Sequence, residues 1–210
     1  MPSPHSPHQS PAPEAIPARR YLLFATIALT GCAADLLSKQ WIFDKLGMPS
    51  RTSETLWLID GVFGFTTSLN EGALFGIGQG QGLLFSLLSI VAALGILYWL
   101  FIARAAQDLL LTIALGAVSG GILGNLYDRL GLSGLQWEAG SLQSGQRVYA
   151  VRDWLHFKID HVINWPIFNI ADSLLVCGAA LLIWHALRSP QPASHLDGAE
   201  PTSGPATPSA

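Results

Sequence analysis

Long apolar stretches dominate the hydrophobic pattern of this chain. A helix needs about 20 mostly apolar residues to cross the roughly 30 Å hydrocarbon core of a bilayer. Four segments reach about that length with few charged residues, at 21–42, 83–102, 109–127 and 169–187. We therefore predict a membrane protein with an all-α core of four transmembrane helices.

The pattern changes between the first and second spans, in residues 44–81. Apolar residues alternate with others at 56 and 58 and again from 63 to 69, on either side of the turn signal Asp60-Gly61. Alternation bounded by turn residues is typical of β-strands. This segment predicts a small β-hairpin or sheet at one face of the membrane.

The remaining polar segments lie between spans or at the two ends. Residues 129–168 have no apolar run long enough to cross a membrane, so we expect a loop that leaves and re-enters on one side. Residues 1–20 and 189–210 are rich in Pro, Ser and Ala, which predicts disordered tails. The folded part should span residues 21–188.

Composition excludes several classes of protein. Only 12% of the residues are charged, against about 25% in an average soluble domain. The formal net charge of −3 provides no basic field for nucleic acid. Cys32 and Cys177 both fall inside apolar spans, without a metal-binding spacing, and we expect free thiols.

Four spans put both termini on one side of the membrane and segments 44–81 and 129–168 together on the other. The distribution of basic residues leaves the orientation open, because they occur on both sides. Only Arg19 and Arg20 form a tight pair before a first span, and this favours cytoplasmic termini.

Three acidic residues lie within or at the edges of the spans, where ionisable groups are costly and usually functional. These are Asp35 in the first span, Asp128 at the end of the third and Asp172 at the start of the fourth. The third span runs towards the face from which the fourth starts, so Asp128 and Asp172 should lie at similar depth. A close carboxylate pair retains one proton, which is the arrangement of an aspartic peptidase and needs no metal or cofactor.

Simpler interpretations of these residues stay open. Asp172 could stabilise a helix N-terminus with Asn169 as its cap, and Asp128 could pair with the adjacent Arg129. Asp35 and Lys39 are four residues apart and could form an ordinary helical ion pair. Asn70 precedes a glycine and is typical of a turn.

The polar segments together resemble the ordered motif set of the lipoprotein signal peptidases, also called signal peptidase II. The matching segments cover residues 21–188 and are Asp35-Leu36-Leu37-Ser38-Lys39, Asn70-x-Gly72-Ala73-x-Phe75, Gly124-Asn125-Leu126-Tyr127-Asp128-Arg129, Val151-Arg152-Asp153-Trp154 and Phe168-Asn169-Ile170-Ala171-Asp172.

This resemblance implies a peptidase of the bacterial inner membrane that acts as a monomer, among membrane lipids. Its substrates would be prolipoproteins, cut on the amino side of a diacylglyceryl-modified cysteine near the periplasmic face, with cytoplasmic termini. Asp128 and Asp172 would be the catalytic dyad. The residues expected to support the site or bind substrate are Asp35, Lys39, Asn70, Gly72, Asn125, Arg129, Asp153, Asn169 and Ala171.

The chain also departs from the family pattern. Residues 130–150 look like an insertion relative to the usual short connection, which we interpret as an exposed loop or a specificity element. Trp154 stands where phenylalanine is common.

The sequence also allows two other functions. Leu29-Thr30-Gly31-Cys32 resembles a lipobox, so the chain could itself be a lipoprotein processed at Cys32, although its apolar run continues past the cysteine. The group Asp153, His156, Asp160 and His161 could instead serve a metal-dependent membrane hydrolase, although no HExxH pattern is present.

Overall fold

The computed structural model describes residues 15–50, 54–72, 78–138, 143–159 and 161–188. Within these ranges four long helices pack together and a small antiparallel sheet lies at one end, which confirms the predicted fold class. Most of both predicted tails lies outside the described residues. The elements in chain order are α1 Ala18–Leu46, β1 Leu56–Ile59, β2 Phe63–Asn70, α2 Gly82–Leu97, α3 Leu109–Arg129, β3 Val151–Ile159, β4 Ile163–Asn164 and α4 Ile170–Arg188.

The four helices are long and apolar enough to cross a membrane. α2 reaches this length because a π-helical turn, Tyr98–Ile102, extends it. α3 is the central helix and packs against the other three, which expose large apolar side chains such as Leu83 and Leu187. An apolar exterior around a packed central helix suits lipid as the surrounding solvent.

Glycines on α3 allow its neighbours to approach closely. At Gly120 an added Cβ atom would lie 3.0 Å from the backbone oxygen of Ala28 on α1. At Gly121 it would lie 2.5 Å from the backbone oxygen of Ala171 on α4. Close packing therefore brings the polar residues of α1, α3 and α4 into one cluster.

The sheet has the order β1-β2-β3-β4, with every neighbouring pair antiparallel. The predicted hairpin is present as β1 and β2. β3 and β4 correct our expectation of a simple loop at 129–168. The first four residues of β3 are buried on both faces, so this part of the strand lacks the alternation by which strands are recognised.

The described residues of the apparent insertion form a hydrogen-bonded hairpin and not an irregular exposed loop. Trp137 donates a backbone hydrogen bond to Gln146 at 2.9 Å, and Val148 donates one to Leu135 at 2.9 Å. We call the described residues 135–138 and 143–148 the insertion hairpin. Val148 is fully buried, which fixes the base of the hairpin to the protein.

Candidate active site

A cluster of buried polar side chains lies where the helices meet the sheet. Each has at most 7% of its surface exposed, although burying charge is costly unless it is paired. The cluster consists of Asp35, Lys39, Asn125, Asp128, Arg152, Asp153, Asn169 and Asp172.

Lys39 is the cation at the centre of this cluster and is completely buried. Its Nζ lies 2.6 Å from Asp35 Oδ2 and 3.1 Å from Asp128 Oδ2. It also donates a hydrogen bond to Asn125 Oδ1 at 2.9 Å. The ion pair with Asp35, predicted as the simple interpretation, is therefore present, and Lys39 further links α1 to α3.

Asp128 has a second cationic partner on β3. Arg152 Nε donates to Asp128 Oδ1 at 2.9 Å, and the backbone N–H of Arg152 lies 3.2 Å from Asp128 Oδ2. Arg152 also donates to Gln40 Oε1 on α1 at 3.1 Å. Two cations and a backbone N–H thus surround the Asp128 carboxyl group.

The start of α4 holds Asp172 in a fixed position. Asn169 Oδ1 accepts from the backbone N–H of Asp172 at 2.8 Å, and Asp172 Oδ2 accepts from that of Asn169 at 3.3 Å. This reciprocal capping, which confirms the interpretation of Asn169 as a cap, orients the carboxylate at the positive end of the helix. The second oxygen, Asp172 Oδ1, accepts from Asn125 Nδ2 at 2.8 Å.

The carboxyl group of Asp153 on β3 shares one asparagine, Asn169, with Asp172 and contacts a second, Asn70. Asn169 Nδ2 donates to Asp153 Oδ1 at 2.6 Å, and Asn70 Nδ2 donates to Asp153 Oδ2 at 3.2 Å. Asn169 thus contacts both Asp153 and Asp172. It also donates to Asn125 Oδ1 at 3.1 Å, so three asparagines form a connected frame around two carboxyl groups.

The proximity of Asp172 changes the acidity of Asp153. Burial raises the pKa of Asp153, the neighbouring Asp172 carboxylate raises it further, and the result is about 8. Lys39 and the amides of Asn169 and Asn70 act in the opposite direction and do not cancel these effects. The pair of Asp153 and Asp172 therefore retains a proton at neutral pH.

These contacts differ from the predicted pairing of Asp128 with Asp172. Membrane depth and the family resemblance suggested that pairing, but depth does not determine the direction in which a side chain points. Asp128 faces Lys39 and Arg152, whereas the carboxyl group that interacts with Asp172 belongs to Asp153. Asp153, expected only as a supporting residue, is the partner because β3 lies beside the start of α4.

The other predicted site residues also lie at this end of the molecule. The backbone N–H of Ala171 donates to Asp35 Oδ1 at 2.9 Å, and Gly72 N donates to Asn70 Oδ1 at 2.9 Å. The latter bond confirms Asn70 as a turn residue. Arg129 does not pair with Asp128 but donates to the carbonyl oxygen of Gly72 at 2.9 Å, linking α3 to the loop after β2.

Two residues of the cluster were not predicted from the sequence, and two residues of a predicted motif lie outside the described part of the chain. Arg152 and Gln40 were missed as parts of the cluster, although Arg152 adjoins Asp153 in one of the motifs. Ala73 and Phe75 of the predicted loop motif lie outside the described residues.

Two clefts with largely apolar walls open on either side of Asp172. One, of about 330 Å³, is lined by Phe157, Trp165 and Val176 among others, and Asp172 lies at its wall. The other, of about 250 Å³, lies between α2, α3 and α4 and includes Asp172, Arg129 and several apolar side chains. Long apolar groups could therefore approach the carboxyl groups from two directions.

Neither alternative function gains support from the geometry. The described residues contain no group of three or more His, Cys, Asp or Glu side chains that could hold a metal ion, and Asp160 lies outside them. His156 instead packs on Trp57, with ring centroids 5.4 Å apart. Cys32 lies inside the continuous helix α1, which carries Asp35 and Lys39 into the cluster.

The fold and the site together define an integral membrane enzyme centred on buried carboxyl groups. Residues 27–188 match the family described as signal peptidase (SPase) II. The chain belongs to the signal peptidase II family, whose members are aspartic peptidases that remove signal peptides from prolipoproteins.

Individual relatives agree with this assignment. The lipoprotein signal peptidase of Rhodopirellula baltica is 47% identical over 190 residues, covering 87% of this chain and 80% of the relative. That of Bacillus subtilis is 35% identical, covering 77% of this chain and 90% of the relative. These relatives confirm the resemblance recognised in the motifs.

Solved structures share the same fold. One structure of a bacterial membrane enzyme has a TM-score of 0.61 at 24% identity and covers 83% of this chain and 91% of its own. A second, also titled as a bacterial membrane enzyme, has a TM-score of 0.60 at 25% identity, with 84% and 97% covered.

The central position of Lys39 leads to a prediction about stability. Lys39→Met leaves Asp35 and Asp128 with an unpaired buried negative charge, so the free energy of unfolding should fall by about 3–5 kcal/mol. Lys45→Met, at an exposed lysine near the end of the same helix, should change it by less than about 1 kcal/mol. The free energy of unfolding is measured for both variants in detergent. Equal losses of stability in the two variants would contradict the central position of Lys39 in the cluster.

Proposed function

We propose that this chain removes signal peptides from prolipoproteins with Asp153 and Asp172 as its catalytic pair. The observation that best supports this proposal is that Asn169 contacts both carboxyl groups, while burial and the neighbouring Asp172 together raise the pKa of Asp153 to about 8. Two carboxyl groups that share one proton can act as base and acid in the same reaction. The bond cut is the peptide bond on the amino side of a diacylglyceryl-modified cysteine.

The environments of the two groups suggest their roles. Asp172 accepts hydrogen bonds at the start of α4, where the helix dipole favours a negative charge, so it is the ionised base. Asp153 is the protonated acid. As Asp172 takes a proton from water, the water oxygen attacks the peptide carbon, and Asp153 stabilises the carbonyl oxygen as negative charge develops there. Collapse of the tetrahedral intermediate breaks the C–N bond, and the proton that Asp172 took from water passes to the cysteine nitrogen, which restores the starting state of both carboxyl groups.

The balance of buried charge supports one shared proton. The cluster has four carboxyl groups, at Asp35, Asp128, Asp153 and Asp172, and two cations, at Lys39 and Arg152. The half-buried Arg129 beside it provides a third cation. One excess negative charge would remain if every carboxyl group were ionised. A proton on the Asp153–Asp172 pair removes it, which is the least costly arrangement in a buried site.

The surrounding polar residues are positioning groups in this proposal. Asn70, Asn125 and Asn169 fix the carboxyl oxygens, since each donates to Asp153 or Asp172. Arg129 holds the Gly72 carbonyl and with it the loop that follows β2. Such support matters because a site within lipid has no bulk water to orient its groups.

The apolar clefts suit the substrate. A signal peptide is an apolar segment and a diacylglyceryl group has two acyl chains, so both favour apolar walls over water. The clefts on either side of Asp172 would accept them while the peptide bond lies between. Because one chain supplies every group of the site, we propose that the enzyme acts as a monomer among membrane lipids.

We further propose that the chain lies in the inner membrane of a bacterium, with both termini cytoplasmic and the site near the periplasmic face. The Arg19–Arg20 pair before α1 favours this orientation. A reporter enzyme that is active only in the cytoplasm should be active when it is fused to the C-terminus. A fusion that behaves as periplasmic would reverse the orientation.

Exchange of single carboxyl groups should separate catalytic from structural acids. Asp153→Asn and Asp172→Asn should each lower the cleavage rate by about a thousandfold or more while the protein remains folded, because asparagine can neither take nor give the required proton. The double variant should be hardly slower than either single one. Asp128→Asn should instead lower stability, because Lys39 and Arg152 lose their shared partner.

The measurements are cleavage of a diacylated prolipoprotein and thermal unfolding in detergent for each variant. Substantial turnover by a folded Asp153→Asn protein would refute the proposed pair. Loss of activity confined to Asp128→Asn and Asp172→Asn would restore the pairing predicted from the sequence.

The raised pKa of Asp153 gives the cleavage rate an alkaline limit. Its folded-state pKa of about 8 lies above the ordinary value of about 3.9, so the proton is bound at neutral pH and lost as pH rises through 8. The turnover number should therefore decline above about pH 8. Asn70→Ala removes a hydrogen bond that lowers this pKa, so its alkaline limit should move upwards; a limit unchanged in the variant would contradict the assignment.

A further inference from the structure

A third cavity lies between the insertion hairpin and the start of α2, and its walls differ from those of the apolar clefts. Its volume is about 320 Å³, within the range of about 300–1,000 Å³ that is usual for ligand pockets. Trp137, Gln146 and Arg147 line it from the hairpin, and Glu71 and Leu83 line it from the opposite side. Aromatic rings, amides and charges thus occur together around one space.

This cavity adjoins the proposed reaction site. Glu71 lines the cavity, and the next residue, Gly72, accepts a hydrogen bond from Arg129. Arg129 in turn lines the apolar cleft that contains Asp172. Glu71 and Gly72 therefore link a wall of the polar cavity to Arg129 in the wall of the apolar cleft, so a substrate held at Asp172 could extend towards both.

The substrate also has an apolar part and a polar part, on opposite sides of the cut bond. The signal peptide and the acyl chains are apolar, whereas the chain that follows the modified cysteine begins a polar, water-exposed protein. Polar backbone and side chains need hydrogen-bonding partners where they leave the membrane. The mixed walls of the third cavity offer such partners, and the apolar clefts offer few.

The position of Arg147 is determined by the fold. Gln136 and Arg147 form an antiparallel bridge across the insertion hairpin. Gly131 lies beneath the Arg147 stem with φ of +68°, and an added Cβ there would be 2.7 Å from Arg147 Cδ. The missing side chain of Gly131 makes room for the Arg147 stem. Arg147 itself remains solvent-exposed at the cavity.

We propose that this cavity binds the first residues that follow the lipid-modified cysteine, and that Arg147 makes it favour an acidic side chain there. The inference rests on the proposed function, since it assigns the mature side of the same substrate. It gives the insertion hairpin the role of a specificity element.

Three synthetic substrates with the same diacylated signal peptide test the proposal. One ends at the modified cysteine, and two continue for several residues with either Asp or Lys directly after the cysteine. The wild-type enzyme should cleave the Asp substrate with a kcat/KM about three- to tenfold above that of the Lys substrate. Arg147→Glu should reverse this preference and leave cleavage of the truncated substrate unchanged.

Lys45→Glu is the matched control, because Lys45 is an exposed cation at the end of α1 and does not line the cavity. It should keep the wild-type preference. Equal preferences in wild type and Arg147→Glu would overturn the proposal, as would a loss of cleavage that is the same for all three substrates. Failure of the wild-type enzyme to cleave any of them would instead refute the proposed function.

Trp137→Ala provides a second variant if Arg147→Glu does not fold. Removing this wall of the cavity should reduce the kcat/KM of the extended substrates about threefold or more and spare the truncated one. An unchanged ratio between extended and truncated substrates would also overturn the proposal.

Discussion

The structure depends on the neutralisation of carboxylates that are buried where the helices meet the sheet. Lys39 does most of this, because one fully buried ammonium group contacts Asp35, Asp128 and Asn125. Buried ionic groups of this kind stabilise a fold only when their partners are held in good geometry. α1, α3 and α4 must therefore pack closely at this end, and glycines at 120 and 121 permit the approach.

The same constraint divides the acidic residues into two groups. Asp35 and Asp128 have cations within ion-pair distance and connect the elements of the fold. Asp153 and Asp172 are held mainly by amide groups and by the start of a helix, so the pair can retain a proton. Burying two carboxyl groups, with no cation of the described residues in ion-pair distance of either, lowers the stability of the fold. Such destabilised groups are typical of a site that needs reactive carboxyl groups.

The sequence predicted most of the fold and most members of the cluster, for physical reasons. Apolar length identifies a membrane span directly, and alternation from 63 to 69 identifies β2. β3 was missed because Val151, Arg152, Asp153 and Trp154 are all buried, so this part of the strand does not alternate. Without β3, membrane depth favoured Asp128 as the partner of Asp172. The direction of its side chain towards Lys39 and Arg152 depends on tertiary packing, which no local pattern contains.

The proposed mechanism requires that one carboxyl group of the cluster, on Asp153, is protonated at neutral pH. Infrared spectroscopy of the purified protein tests this most directly, since a protonated carboxyl group has a C=O stretching band separate from those of carboxylates. We expect a carboxylic acid band that disappears in Asp153→Asn and titrates near pH 8. A cluster without such a band at neutral pH, or a band that persists in Asp153→Asn and disappears in Asp128→Asn, would contradict it.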